Sequence, residues 1–390
     1  MRTQPETMMP AYNCPNCHHL LHFETRVCPS CSHALGFDYF TNDFYHLDGA
    51  SGEWRNRTGQ TGAFGPCANA RYGVCNWLVL RDDPQPLCKS CRHNRTIPDL
   101  AVAGVLERWI KLEDAKRRAI FGLMRLGLPF ETWAERPGGL GFDLLYDPSA
   151  EQGGSPEHLT GHDNGIITIN LLEADDAARE RIRTQMGEPY RTLVGHFRHE
   201  IGHYFWDRLV DNSADLVPFR NLFGDERADY GQALQNHYNN PPPPGWEEHY
   251  VSTYATAHPW EDFAETFAHH SHIVDTLSVI GDFGVRMSPP PIAPSGSSDT
   301  AIDFDPYTAD TATLTAHWIH YAFALNSINR SMGQPDLYPF KLSPGVVLKL
   351  DFINRLIAFA ARRWAPGDNE SSDLKALVAT LGQGVELGSG

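Results

Sequence analysis

The chain is 390 residues long, 41% hydrophobic and 21% charged, the balance of a globular protein with room for two or three domains. Its net charge of −16 at pH 7 lies wholly after residue 100, because the first hundred residues hold nine Lys/Arg and nine Asp/Glu. An acidic body argues against nucleic-acid binding, where a basic face supplies most of the affinity, and no run approaches the ~20 apolar residues of a membrane span. The N-terminus lacks an apolar signal segment, so a cytoplasmic location is expected.

All eight cysteines fall before residue 92. "CPNCHHLLHFETRVCPSC" spaces Cys14, Cys17, Cys28 and Cys31 as two Cys-x-x-Cys knuckles ten residues apart. Each knuckle aims two thiolates at one point, and two of them complete a tetrahedral zinc site. The ten residues between them have the length of a short hairpin. Cys67, Cys75, Cys88 and Cys91 follow a less regular spacing, with only the last pair a knuckle, but they use up the remaining thiols. Two structural zinc sites are therefore expected in residues 1–97, each closed by four cysteines and without an open coordination position. With no net positive charge here, a protein-contact or scaffold role is expected of this region rather than DNA binding.

Next, "GVLERWIKLEDAKRRAIFGLMRLGL" carries apolar residues at helical spacing and predicts one or two helices. Residues 142–147 and 165–171 are short apolar or alternating runs bounded by Gly, Pro and Asn-Gly, and read as strands. The segment "EPYRTLVGHFRHEIGHYFWDRLV" predicts an amphipathic helix starting near Pro189. "FGDERADYGQALQNHY" predicts another, broken by the prolines at 241–244. "HPWEDFAETFAHHSHIVDTLSVIG" predicts a helix from Pro259, residues 287–300 a loop, and 308–331 and 344–364 two further helices. The last residues are expected to fray. His258, His269, His270 and His272 read as a polar, partly solvated helix face, with His258 also suited to a helix cap, and His162 in "GHDNG" reads as a surface residue.

The chemistry lies in "FRHEIGHYFWD". His199 and His203 are four apart on a helix, about 40° apart around its axis, and can share one metal ion. Glu200 lies beside them, placed to take a proton from an activated water. A catalytic zinc needs a third protein ligand. The metzincin pattern is excluded, since its Gly and third His positions hold Trp206 and Leu209. A glutamate on a later helix is the other main option, and "WEDFAE" offers Glu261 and Glu265 on one face. One would ligate and the other would steady a ligating imidazole through Nδ1–H; periodicity does not assign the two roles. Glu226 and Asp207 are the competing third ligands. Gly202 inside the helix costs about 1 kcal/mol against Ala and is expected to serve close packing.

The pattern resembles the glutamate zincins, and is similar to the anthrax lethal factor type of active site, with its Tyr-x6-Glu-x3-Glu arrangement matched by Tyr254, Glu261 and Glu265. That resemblance implies Glu261 as the ligand, Glu265 as the carboxylate that supports a ligating histidine, and Tyr254 as the group that stabilises the oxyanion. More broadly, "CPNC", "CNWLV", "CKSCRHNRTIPDL", "RHEIGHYFWDRLV", "GDERADYGQALQNHY", "HPWEDFAETFAH" and "NRSMGQPDLYPFKL" resemble a bacterial family of zinc-binding metallopeptidases with an N-terminal zinc ribbon. The expected fold is α+β: four-cysteine ribbon modules over 1–97, a mainly helical zincin-like domain with a small β-sheet over 98–366, and a tail over 367–390. The expected function is hydrolysis of a peptide or protein substrate by zinc-activated water with Glu200 as general base, using one catalytic and two structural Zn2+ ions. A non-catalytic ribbon scaffold and a hydrolase of a non-peptide bond are the alternatives. The strand "GIITINL" is expected to pair with an extended substrate.

Overall fold

A computed structural model describes residues 12–147, 160–186, 191–288 and 300–363. The knuckles of the first ribbon are built alike. In each, the residue after the second cysteine is left-handed (His18 at φ 61°, Ser32 at φ 61°) and returns its N–H to the carbonyl of the first cysteine at 2.9 Å. No hairpin joins them; instead each knuckle is closed by its own isolated bridge, Asn13 with Leu20 and Val27 with Ala34. An antiparallel meander follows, β1 (Leu35–Asp38), β2 (Asp43–Leu47), β3 (Trp54–Arg55) and β4 (Thr61–Gly62), then a two-stranded ladder of β5 (Phe64–Pro66) and β6 (Leu78–Leu80). These strands had no clear sequence signal, being two to five residues long.

The second sheet has the order β7-β8-β10-β9. Strand β7 (Asn94–Thr96) and β10 (Ile166–Asn170) run parallel to β8 (Gly141–Leu145), while β9 (Gly161–Asp163) turns back antiparallel on β10. Asn164 and Gly165 make the β9–β10 turn with positive φ at both residues, the backbone that suits a tight hairpin. β10 is paired on both sides, so the expectation that it would receive a substrate strand is corrected. Among the described residues the open edge on that side is β9. β7 precedes residue 97 yet belongs to this sheet, and one continuous apolar core runs from Tyr12 and Phe23 of the ribbon to Ile357 and Ala360 near the far end.

Eight α-helices occur among the described residues: α1 (Val105–Arg125), α2 (Asp176–Met186), α3 (Leu193–Leu209), α4 (Leu216–Phe223), α5 (Tyr230–Asn239), α6 (Pro259–Asp282), α7 (Thr311–Ser331) and α8 (Pro344–Arg363). None is long and apolar enough to cross a membrane. α1 is one helix, not two. The helix expected from Pro189 begins at Leu193, where the Thr192 hydroxyl accepts the Gly195 N–H at 3.0 Å; Pro189 lies outside the described residues. "FGDERADYGQALQNHY" is divided, since α4 stops before Gly224 (φ 106°) and α5 starts after its cap Asp229. The expected tail over 367–390 and most of the 287–300 loop also lie outside the described residues.

Helices α3 and α6 cross at the centre of the molecule, and the crossing explains Gly202. A Cβ there would come within 2.8 Å of Ala264 Cα and 3.1 Å of its carbonyl oxygen. The missing methyl lets the two helices approach until Phe205 stacks on Phe267, their ring centres 5.5 Å apart.

Candidate active site

The α3–α6 crossing determines which side chains meet. α3 presents His199 and His203 on one face, and α6 presents Glu261 in its first turn. His258 caps α6 by accepting the Trp260 N–H at Nδ1, 3.1 Å, and Pro259 takes the first helical position. His199 Nε2 and His203 Nε2 are 3.2 Å apart, and Glu261 Oε2 lies 3.0 and 3.4 Å from them. These separations are near the ~3.3 Å edge of a tetrahedron whose metal–ligand bonds are about 2 Å. Glu261 Oε2 is buried without a hydrogen-bond partner, and two imidazole nitrogens face each other across it. A cation among the three atoms would satisfy all of them, so the donor set fits a zinc ion.

The surrounding residues fix this set. Glu265, one turn after Glu261, places Oε1 2.8 Å from His199 Nδ1, and its Oε2 accepts the Ser252 hydroxyl at 2.6 Å. Tyr230, at the start of α5, donates its hydroxyl to Glu261 Oε1 at 2.6 Å and so leaves Oε2 to the histidines. Behind Glu261, the buried pair Asp262–Lys349 (2.5 Å) ties α6 to α8. Tyr254 sits beside the site, its ring centre 5.8 Å from that of His199. Glu200 is buried on α3, and burial pushes its carboxyl above the usual range. Burial also acts to raise Glu261, but the imidazoles of His203 and His199 outweigh it and hold that carboxyl well below the range.

Of the competing ligands, Glu226 is taken by Arg220, whose Nε reaches its Oε2 at 2.8 Å. Asp207 stands apart from the cluster, 3.8 Å from His162 Nδ1. His162 is not a surface residue: its side chain is 6% exposed and its ring is stacked near that of His203. Nor is the histidine face of α6 solvated at His258, His269 or His270, whereas His272 is half-buried. His258, His269 and His270 are buried; His269 Nδ1 pairs with the Tyr338 hydroxyl at 2.8 Å and His270 Nε2 with Asn354 Oδ1 at 3.0 Å. The roles of Tyr230, Ser252 and His162 escaped sequence reasoning because each reaches the site from a different element, a helix start, a loop and a strand, with no spacing to link it to the motif.

Both cysteine sets assemble. Cys14, Cys17, Cys28 and Cys31 form one cluster and Cys67, Cys75, Cys88 and Cys91 another, with no disulfide among them. The sulfur separations of 3.7 Å (Cys14–Cys31), 3.5 Å (Cys17–Cys28) and 3.6 Å (Cys75–Cys88) approach the ~3.8 Å expected for 2.3 Å zinc–sulfur bonds. The second cluster is wedged against α1, whose Glu113, Lys116 and Arg117 are fully buried. Burial acts against the charge on Arg117, but the neighbouring Cys75 sulfur and the Asp114 carboxylate outweigh it and hold the guanidinium charged. It donates to the Val74 carbonyl, next to Cys75.

Comparison with known proteins agrees with this architecture. A zinc-ribbon domain model matches residues 11–102, and the model of a family described as "Putative zinc-binding metallo-peptidase" matches residues 105–356. An uncharacterized protein of Mycobacterium bovis and uncharacterized proteins of two Mycobacterium tuberculosis strains are each 41% identical over 362 residues, covering 92% of this chain and 98% of theirs. No solved structure matches the chain. The ribbon, the cysteine clusters and the helical body behind them place the chain in this family of zinc-binding metallopeptidases with an N-terminal zinc ribbon.

Proposed function

We propose that the chain hydrolyses peptide bonds in a peptide or protein substrate, as a gluzincin-type enzyme carrying one catalytic and two structural zinc ions. The observation that carries this reading is the convergence of His199, His203 and Glu261 on one point, with Glu200 buried alongside. A zinc ion held by these three would supply Lewis acidity and a water acidified to a pKa of about 7. Glu200 takes the proton of the attacking water and returns it to the leaving amine; its burial raises its carboxyl above the usual range, the direction that strengthens it as a base. Tyr254, beside His199, donates a hydrogen bond to the oxyanion. Glu265 fixes the His199 ring through Nδ1. The four-cysteine sites are closed, so their task is to hold the fold and, for the first ribbon, to present a protein-contact surface.

The test is to incubate the zinc-loaded chain with peptides from a digested proteome and read new termini by mass spectrometry. Wild type generates them and Glu200→Gln, with its zinc retained, does not. Equal cleavage by both proteins would remove Glu200 from the mechanism, and absence of cleavage by wild type would count against a peptidase.

A further inference from the structure

The reaction outlined above leaves His162 without a task. It lies on β9, one of the two edge strands of the mixed sheet, and its ring is nearly parallel to that of His203, 12° between planes and 6.4 Å between centres. Its Nε2 accepts the Gly165 N–H at 3.0 Å. A doubly protonated ring could not accept that bond, so the ring is neutral and its proton sits on Nδ1. The Nδ1–H faces Asp207, one turn beyond His203 on α3, with Oδ2 at 3.8 Å. That is beyond direct hydrogen-bond reach. The His162 side chain is 6% exposed and that of Asp207 is 54% exposed, so the pair opens from the buried flank of His203 to solvent.

A fixed N–H donor and a carboxylate acceptor thus stand side by side, unpaired with each other, where the sheet edge meets the metal-ligand cluster. In an extended chain one residue turns its own C=O and N–H to the same side. That is the complementary pair. We propose that His162 is a substrate-binding residue whose Nδ1–H donates to a backbone carbonyl of a peptide laid along β9, while Asp207 accepts the N–H of the same residue. This rests on the peptidase reading above and deepens it, because it assigns the residues that hold the peptide backbone beside the zinc.

Two hydroxamates separate the possibilities, both measured by calorimetry on zinc-replete protein. Acetohydroxamate engages only the metal, whereas trileucine hydroxamate adds a peptide backbone. His162→Asn keeps an N–H donor near the Nδ1 position; His162→Gln keeps a polar group near the Nε2 position and loses that donor. Trileucine hydroxamate is expected to bind His162→Gln about tenfold more weakly than wild type, the share of one hydrogen bond, and His162→Asn within about twofold of wild type. Acetohydroxamate affinity is expected to be equal in all three. Rescue by Gln rather than Asn, or equal trileucine hydroxamate affinity throughout, overturns the role of His162 and leaves the metal centre standing. Failure of wild type to bind acetohydroxamate overturns the metal centre itself, and this proposal with it.

Discussion

His199 Nδ1 and Glu265 Oε1 lie 2.8 Å apart, and the other oxygen of that carboxylate is held by the Ser252 hydroxyl at 2.6 Å. The contact fixes the His199 tautomer with Nε2 free to face Glu261, and increases the electron density that nitrogen offers a metal. Glu265→Ala should therefore weaken zinc at the His199 site about 10- to 100-fold, measured by competition with a chelating dye. Ser252→Ala, which only loosens Glu265, should cost less. An unchanged affinity in Glu265→Ala would show that the contact is incidental.

Tyr230 grips Glu261 from the opposite side at 2.6 Å. Tyr230→Phe keeps the ring and removes one hydrogen bond to a charged group, so zinc affinity should fall roughly tenfold. Cobalt substituted at this site should report the change as an altered visible spectrum, because the freed Glu261 Oε1 can then swing toward the metal.

Gly202 gives a prediction against helix propensity. Alanine normally favours a helix by about 1 kcal/mol over glycine. Here its methyl would press on the Ala264 backbone at 2.8 Å, and two packed helices would have to part. Gly202→Ala should lose about 1–3 kcal/mol of stability in urea unfolding. Gly231→Ala on α5, where the nearest atom to a new methyl is Asp229 Oδ1 at 3.6 Å, should be neutral or gain about 0.5–1 kcal/mol.

Acid stability should depend on His270. Burial pushes its pKa down from 6.5 to about 4, with Nε2 on Asn354 Oδ1 and Nδ1 buried without a partner. The unfolded chain thus takes up the proton first. The contribution of this residue is fully present above pH 6.5, declines as pH falls, and levels off below about 4, a loss of about 3 kcal/mol. His270→Gln, which preserves a donor to Asn354 and cannot charge, should lower the slope of that limb between pH 6.5 and 4 by up to one proton, while His93, His162, His196 and His269, which burial also pushes down to about 4, carry the rest. A limb of unchanged slope would place the acid sensitivity elsewhere.

Much of the candidate site could be read in one dimension because its members sit on two helices with short spacings: His199, Glu200 and His203 within one turn and a half, Glu261 and Glu265 within another. The cysteine sets were legible for the same reason. What escaped was long-range. Tyr230 and His162 reach the site through the α4–α5 connection and the β9–β10 hairpin, and no local period marks such an approach. Glu113, Lys116 and Arg117 of α1 drew no comment from the sequence, and they are fully buried, with Cys91 of the second cysteine cluster against Glu113. The histidines of α6 misled, since polar residues suggest solvent until Asn354 and Tyr338 arrive from α8 and the segment before it. The ribbon meander was invisible because strands of two to five residues carry too few alternations to count.

His199, His203 and Glu261 are proposed to hold a metal ion distinct from those of the two cysteine clusters. Zinc content per chain, measured on the whole 390-residue chain after removal of loosely bound metal, is the direct test. Three zinc ions are expected in wild type, two in Glu261→Ala, and two in a variant with Cys14 and Cys17 replaced by serine. Two ions in wild type, undiminished by Glu261→Ala, would contradict this proposal.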